Sequence, residues 1–407
     1  MENNERSKQL LIIGNGFDLA CGLKSRYNDF FYDLYKENPQ NYSITEEENY
    51  WFNLFEGLVK FDEKSTFGWT DIELQILIEL MNIEFIYNID LLLNLNTLES
   101  KDSIKAYISR FIYTKSNENK HYDEDSVLNT FLVLTKTLHE HEIDILDKRS
   151  TFDRLKKDLK KFENTFSFYL NNELKRNNDE YISRTSRLLN KLLIQKNPSY
   201  TKLKYKSIKT DISTNSKQII SFNYTQPSIN VSIRYIHGNL KNRNIIFGID
   251  YDSVSNLFNY HPLEFTKSYR ILENKLNSKV SISSDIKNIL FYGHGLGEAD
   301  YSYFQSIFDT VDLYHGDARL IFYWTQFGVQ DQYIEQVEKV VWLIEKYGQT
   351  FANKDHGRNL FTKLFNKKAK SSFTFIETVC SSFIILYRVN RTKLSIISFV
   401  SIRTLKV

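Results

Sequence analysis

The sequence has few of the residues that build cross-linked, metal-bound or membrane-spanning proteins. Its 407 residues include only two cysteines and four prolines. Two cysteines can form neither a disulfide framework nor a four-cysteine zinc site. No apolar run approaches 18 residues, the length that indicates a transmembrane helix, and the polar start of the chain does not resemble a secretory signal peptide. We therefore predict a cytoplasmic protein with no membrane span and no metal.

An excess of charge of one sign is also missing. The 53 Lys and Arg residues face 50 Asp and Glu residues, which gives a formal net charge of +3. Nucleic-acid binding calls for a basic face, so the composition does not indicate it. With 42% apolar and 15% aromatic residues, the chain is not mainly disordered, and its length suits one large domain or two ordinary ones.

Short branched apolar runs alternate with helical patterns in two separated parts of the chain. Strands are predicted at residues 9–13, 217–222, 232–236, 244–249, 288–292 and 319–324. Between residues 45 and 198 the pattern is instead helix after helix, with almost no glycine. Alternating strands and helices favour a mainly parallel α/β sheet, and its first strand joins strands that come much later in the chain.

This pattern predicts three regions. Residues 8–44 and 200–365 form a discontinuous α/β domain, and residues 45–199 form an all-helical insertion. Residues 366–407 form a basic apolar tail, since eight basic residues and one acid follow residue 366. Such a tail is a packed hairpin, a poorly ordered extension, or a segment that contacts RNA or a membrane.

Eight of the 14 glycines lie in three short segments. Gly14 and Gly16 directly follow the first predicted strand, and Gly293, Gly295 and Gly297 follow the strand at 288–292. A glycine loop between a strand and a helix directs backbone N–H groups at a phosphate, and ligands of open α/β sheets collect at the carboxyl ends of strands. Two such loops indicate a nucleotide site. No acid closes a second strand about 20 residues later, so a dehydrogenase is disfavoured.

Polar side chains suited to chemistry close the later strands. Asn223 and Thr225 follow the strand at 217–222, His237 stands between a strand and Gly238, and the second glycine loop carries His294 and Asp300. A histidine takes up a proton near neutral pH, and a fixed amide orients water. A carboxylate stabilises the positive centre that forms as a glycosidic bond breaks. The spacing alone favours a His237 that only hydrogen-bonds a turn over a catalytic one.

Taken in order, these motifs resemble the AbiH-type bacteriophage abortive infection proteins. The matching segments are residues 11–20 with Gly22-Leu23, then 69–73, 221–225, 236–238 and 292–300, within a resemblance that spans about 8–365. The resemblance implies defence against bacteriophage, in which an infected cell stops before phage spreads.

The same motifs are more distantly similar to the sirtuin-like, Rossmann-like NAD-binding fold. That similarity implies that Asn223 holds the reacting water and ribose and that His237 is the catalytic histidine. Sirtuins have a serine at the position of Asp18 and an aspartate at that of Thr225, so Asp18 is a candidate for the missing acid. The zinc-binding cysteines of sirtuin deacylases are absent, which disfavours deacylation.

We therefore expect an abortive infection protein that cleaves NAD at the nicotinamide glycosidic bond, a candidate NAD glycohydrolase. The predicted catalytic residues are His237, Asn223 and Asp18. The predicted NAD-contacting residues are Gly14, Asn15, Gly16, Phe17, Gly22, Thr225, Gly293, His294, Gly295, Leu296 and Asp300. The alternatives are a nucleotide-binding sensor without turnover and a toxin that acts through the basic tail. Expected partners are NAD or an ADP-ribose-like nucleotide, a phage-derived trigger and a second copy of the chain.

Overall fold

The architecture comes from a computed structural model that divides the chain into two compact units. The model describes residues 8–42, 49–61, 72–89, 91, 100–115, 122–194, 217–227, 233–251, 254, 262–274, 282–324, 332–366 and 373–377. One unit comprises residues 1–25, 172–241 and 278–407, and the other comprises residues 26–171 and 242–277. We call the first the sheet unit and the second the helical unit.

The described strands form one six-stranded sheet in the sheet unit. They are β1 (Gln9–Ile13), β2 (Lys217–Ser221), β3 (Ile233–Tyr235), β4 (Asn288–Tyr292), β5 (Arg319–Trp324) and β6 (Phe373–Glu377). The order is β3-β2-β1-β4-β5-β6 and every pairing is parallel, so the prediction of a parallel α/β sheet is confirmed. This is the order of doubly wound nucleotide-binding sheets, in which ligands bind where the winding reverses, here between β1 and β4.

The helices complete both units. They are α1 (Asn15–Ala20), α2 (Tyr27–Tyr32), α3 (Tyr50–Phe61), α4 (Ile72–Asn88), α5 (Lys101–Lys115), α6 (Glu124–Glu140), α7 (Lys148–Arg176), α8 (Asn178–Ile194), α9 (Lys267–Glu273), α10 (Tyr301–Thr310), α11 (Gln332–Gln349) and α12 (Lys354–Asn366). Short π or 3-10 turns lie at Asp33–Glu37, Pro39–Asn41, Leu263–Phe265 and Glu298–Asp300. None of the described helices has the length and apolarity needed to cross a membrane.

Helices cover both faces of the sheet because successive strand residues point to opposite sides. In β1, Leu10 and Ile12 pack in a core with buried residues of α10, α11 and α12. Leu11 and Ile13 pack on the other face with residues of α1 and α8. A strand buried on both faces must be apolar at every position, which explains the unbroken Leu-Leu-Ile-Ile run of β1.

The helical unit has an aromatic core. Phe30 of α2 packs against Phe162 and Phe166 of α7, with ring centroids 5.7 and 5.1 Å apart. Phe247 joins the same cluster, 5.6 Å from Phe166. Beside it, the guanidinium of Arg270 lies 2.9 Å from both carboxylate oxygens of Glu163, and both side chains are almost fully buried.

One predicted strand was wrong, and one strand of the sheet was not predicted. Residues 244–249 do not form a strand; they are buried in the helical unit, where Ile249 makes one isolated bridge to Thr266. Their apolar run therefore reflects burial, which periodicity cannot distinguish from a buried strand. Conversely, β6 comes from the predicted tail and pairs with β5. The rest of that tail, residues 367–372 and 378–407, lies outside the described residues.

The units also differ from the expected domains at their boundaries. Residues 26–44 and 242–277 group with the helical unit, although they were expected in the α/β domain. Residues 172–199, expected in the helical insertion, group with the sheet unit. The reason is packing, since α8 places Tyr181, Leu189 and Leu192 against the β1 face of the sheet.

Candidate functional site

The two glycine loops meet at the point where the winding of the sheet reverses. Gly14 follows β1 and Gly293 follows β4, the neighbouring strand. A Cβ on Gly14 would lie 2.7 Å from the Gly293 carbonyl oxygen, and a Cβ on Gly16 would lie 2.6 Å from the Gly293 Cα. Gly293 itself has a φ of +66°. These glycines therefore allow one backbone to pack directly on another.

Backbone hydrogen bonds join the same two loops. The Gly14 N–H donates to the Tyr292 carbonyl at 3.1 Å, and the Gly16 N–H donates to the Gly293 carbonyl at 2.8 Å. The Gly16 amide thus bonds to protein, whereas the sequence pattern had it facing a phosphate. Gly295 differs, because a Cβ there would meet no atom within 4 Å. The phosphate role of these glycines stays a prediction.

The other residues expected near the nucleotide in the first loop have partners within the fold. Asn15 exchanges side-chain hydrogen bonds with Ser25. Phe17 is fully buried and meets Tyr292 edge to face at 6.1 Å. Gly22 has a φ of +86° and lies beside the guanidinium of Arg184. Asn15 and Gly22 are nevertheless exposed, so Phe17 is the part of this loop that lies in the core.

Asp18 of α1 is a buried carboxyl at the centre of a hydrogen-bonded group. The Thr225 hydroxyl donates to Asp18 Oδ2 at 2.6 Å, and the Tyr181 hydroxyl donates to Oδ1 at 2.9 Å. Burial raises the pKa of Asp18 to about 6, and the Thr225 and Tyr181 hydroxyls oppose that rise. The neighbouring Asn223 amide also opposes it, more weakly. Asp18 therefore exchanges its proton close to neutral pH.

Two polar side chains near this carboxyl are buried without satisfied hydrogen bonds. Neither Nδ2 nor Oδ1 of Asn223 reaches a hydrogen-bond partner of good geometry among the described residues, and the residue is 4% exposed. The same holds for the hydroxyl of Tyr235, at the end of β3. Its pKa is raised by burial and by the charge of Asp18. Buried polar groups normally have partners, so these atoms mark a place for water or a ligand.

A second group, at the ends of β3 and β4, is formed by two histidines and a carboxylate. His237 Nε2 lies 3.2 Å from Asp300 Oδ1, and His294 Nε2 lies 3.4 Å from Asp300 Oδ2. The ring of Phe222 packs against both histidines, at 5.5 and 4.3 Å. Because Phe222 precedes Asn223 in the chain, the two groups meet at the end of β2.

The sequence motifs identified most of these site residues and did not identify two of them. Asp18, Asn223 and Thr225 come together as the motif order suggested, and His237, His294 and Asp300 form a cluster of their own. Tyr181 and Tyr235 were missed. Tyr181 lies on a helix 163 positions from Asp18, and no local pattern distinguishes it from a core tyrosine. Of the 69–73 motif, residues 69–71 lie outside the described residues, and Glu73 pairs with the buried Lys267 at 2.9 Å.

Fold and site together define a class: a doubly wound parallel α/β protein with an acid, an amide and two histidines at the carboxyl ends of its strands. More specifically, the chain belongs to the AbiH family, since the family model described as "Bacteriophage abortive infection AbiH" matches residues 10–324. The match begins in β1, ends with β5 and contains every site residue described above. No curated protein and no solved structure matches the chain significantly. The family implies a role in abortive infection by bacteriophage.

Proposed function

We propose that this AbiH protein stops an infected cell by hydrolysing NAD at the bond between nicotinamide and ribose. In this reaction water forms a new C–O bond to the ribose, and nicotinamide leaves with the electrons of the broken C–N bond. ADP-ribose is the second product, and one proton is released. The sirtuin-like character of the fold is part of this proposal.

Asn223 is the observation that carries the proposal. Its amide is buried at the carboxyl end of β2, and neither of its polar atoms has a good hydrogen-bond partner among the described residues. Leaving such a group unsatisfied costs about 1–3 kcal/mol, which a bound ligand or water would recover. An amide donates and accepts, so it suits both the attacking water and a ribose hydroxyl.

Asp18 and His237 supply the remaining chemistry in this proposal. The Thr225 and Tyr181 hydroxyls donate to Asp18, which holds the carboxyl in place without neutralising its charge. A nicotinamide ring or the oxocarbenium-like ribose of the transition state brings positive charge to such a carboxylate. His237 accepts the proton of the attacking water or of a ribose hydroxyl.

A second candidate is a nucleotide-binding sensor that does not turn over its ligand and acts through a partner. The closed packing of the two glycine loops favours it, because the Gly16 N–H already donates to the Gly293 carbonyl. The Gly16 N–H would have to leave that carbonyl before it reached a phosphate. Such a requirement suits a protein that waits for a phage-derived trigger.

Nicotinamide release from NAD by the purified protein tests the proposal. Asn223→Ala and His237→Ala should each abolish release, while His315→Ala, which changes an exposed histidine of the same unit, should not. NAD binding is measured in parallel by calorimetry. Binding without release would favour the sensor. If the protein neither binds NAD nor releases nicotinamide, NAD is not its ligand.

A further inference from the structure

Asp300 lies between two buried histidines that come from different strand ends. Its two carboxylate oxygens lie 3.2 Å from His237 Nε2 and 3.4 Å from His294 Nε2, which are ion-pair distances, and the approach to His237 Nε2 is outside hydrogen-bond geometry. The side chains of the histidines are 6% and 5% exposed, and that of Asp300 is 14% exposed. Asp300 is the N-cap residue of α10, where an aspartate usually accepts a backbone N–H of the first turn. Here its side chain makes no such cap bond.

The backbone fixes which nitrogen of His294 carries the proton. The Leu296 N–H donates to His294 Nδ1 at 2.9 Å. A nitrogen that accepts a hydrogen bond carries no proton in the neutral ring, so the proton is on Nε2 and faces Asp300. Leu296 adopts a φ of +55°, which is unfavourable for a leucine and persists only where its surroundings impose it. The loop is thus strained at the residue that holds this ring.

The same hydrogen bond disfavours a metal between the two rings. A histidine that binds a metal through Nε2 needs its proton on Nδ1, and it usually donates that proton to a carbonyl or carboxylate. The Leu296 N–H occupies Nδ1 as a donor. In the described part of the chain, no three His, Cys, Asp or Glu side chains are placed to hold a metal ion.

We infer that Asp300 is a positioning residue that holds the ring of His237, with His294 as its second, fixed partner. The inference rests on the proposed function, in which His237 takes up a proton from water or a ribose hydroxyl. A carboxylate 3.2 Å from Nε2 attracts an N–H at that atom through its charge, which orients the ring and favours one neutral tautomer. It also stabilises the imidazolium that forms when the proton arrives. The sequence predicted that Asp300 and His294 contact the nucleotide. In this inference they instead position the ring of His237.

Nuclear magnetic resonance of the ¹⁵N-histidine-labelled protein tests the coupling without any substrate. In the wild type, both His237 and His294 should carry the proton on Nε2 when the rings are neutral. Asp300→Ala should shift the neutral His237 ring towards a mixture of tautomers. His294 should keep its tautomer, because the Leu296 N–H still binds Nδ1, and this also reports that the loop is folded. Asp300→Asn repeats the test with the side-chain volume kept.

The matched control is Asp312→Asn, which removes a carboxylate 3.1 Å from the exposed His315 in the same unit. It should leave the His237 and His294 signals unchanged. Unchanged His237 signals in both Asp300 variants would overturn the inference, as would a wild-type His237 that carries its proton on Nδ1.

Kinetics of nicotinamide release decide whether the coupling serves catalysis. Asp300→Asn should lower kcat by about 100-fold, at the low end of what general acid–base groups contribute. KM should stay unchanged, because Asp300 acts through His237. An unaltered kcat would overturn the positioning role. If the wild type releases no nicotinamide, the proposed function fails, and the coupling of Asp300 to His237 is then decided by the resonance data alone.

Discussion

Gly293→Ala should destabilise the sheet unit strongly, although it adds a single methyl group. The φ of Gly293 is +66°, and a Cβ there would lie 2.4 Å from the Phe17 backbone nitrogen and 2.5 Å from the Gly16 carbonyl carbon. The left-handed conformation costs alanine about 1–2 kcal/mol, and overpacking against rigid backbone costs about 1–3 kcal/mol. We therefore expect a loss of about 2–5 kcal/mol, a large part of the 5–15 kcal/mol that typically stabilises a domain.

Two other glycines separate these costs. Gly16→Ala creates a 2.6 Å contact with the Gly293 Cα but involves no positive φ. Its loss in free energy of unfolding should therefore be the overpacking cost alone. Gly297→Ala, in the same loop as Gly293, meets no atom within 4 Å and should leave stability unchanged.

Thermal unfolding followed by circular dichroism measures the series. At about 2–4 °C per kcal/mol for a large domain, the midpoint of Gly293→Ala should fall by about 4–20 °C. The order should be Gly293→Ala lowest, then Gly16→Ala, then Gly297→Ala with the wild type. Equal midpoints for the Gly293 and Gly297 variants would refute the reasoning. They would indicate that the glycines are there for a ligand and not for contact between the two loops.

Two further predictions concern buried charge in the helical unit. Burial raises the pKa of Glu79 from 4.5 to about 7, so its stabilising contribution is complete below pH 4.5 and is lost as the pH rises through about 7. At 1.36 kcal/mol per pH unit, the wild type should lose about 3 kcal/mol relative to Glu79→Gln over this range. Urea unfolding at pH 4.5, 6 and 8 checks this, and parallel profiles would contradict it. Arg270→Met leaves the Glu163 carboxylate buried without its guanidinium and should cost about 3–5 kcal/mol in the same assay. Adding Glu163→Leu should recover most of that loss, and no recovery would show that the loss comes from packing.

Local pattern was enough to predict most of the sheet. The strands at 9–13, 288–292 and 319–324 agree with β1, β4 and β5, because strands buried on both faces read as unbroken apolar runs. The same signal was wrong at 244–249, where the run is buried without sheet partners. It missed β6, which the basic composition of the surrounding tail obscured. Whether a buried run pairs in a sheet depends on neighbours that are distant in the chain.

The site was predictable in its residue types and less so in its geometry. The glycine loops lie at strand ends as expected, but their direct packing on each other follows only from β1 and β4 being neighbours. Tyr181 could not be found from spacing, because it reaches Asp18 from a helix expected in another domain. Asp300 was identified as a polar residue beside a glycine loop, yet its position between His237 and His294 needs two strand ends that are distant in the chain.

The central position of β1 has a consequence for the synthesis of the chain. Residues 9–13 leave the ribosome long before their partners, residues 217–221 and 288–292. At about 5–20 residues per second, roughly 15–55 s separate β1 from β4. For part of that time Asp18 has been synthesised but its partner Thr225 has not. His237 is likewise synthesised before Asp300. A chain that has not yet reached β4 and the loop after it therefore carries no assembled site.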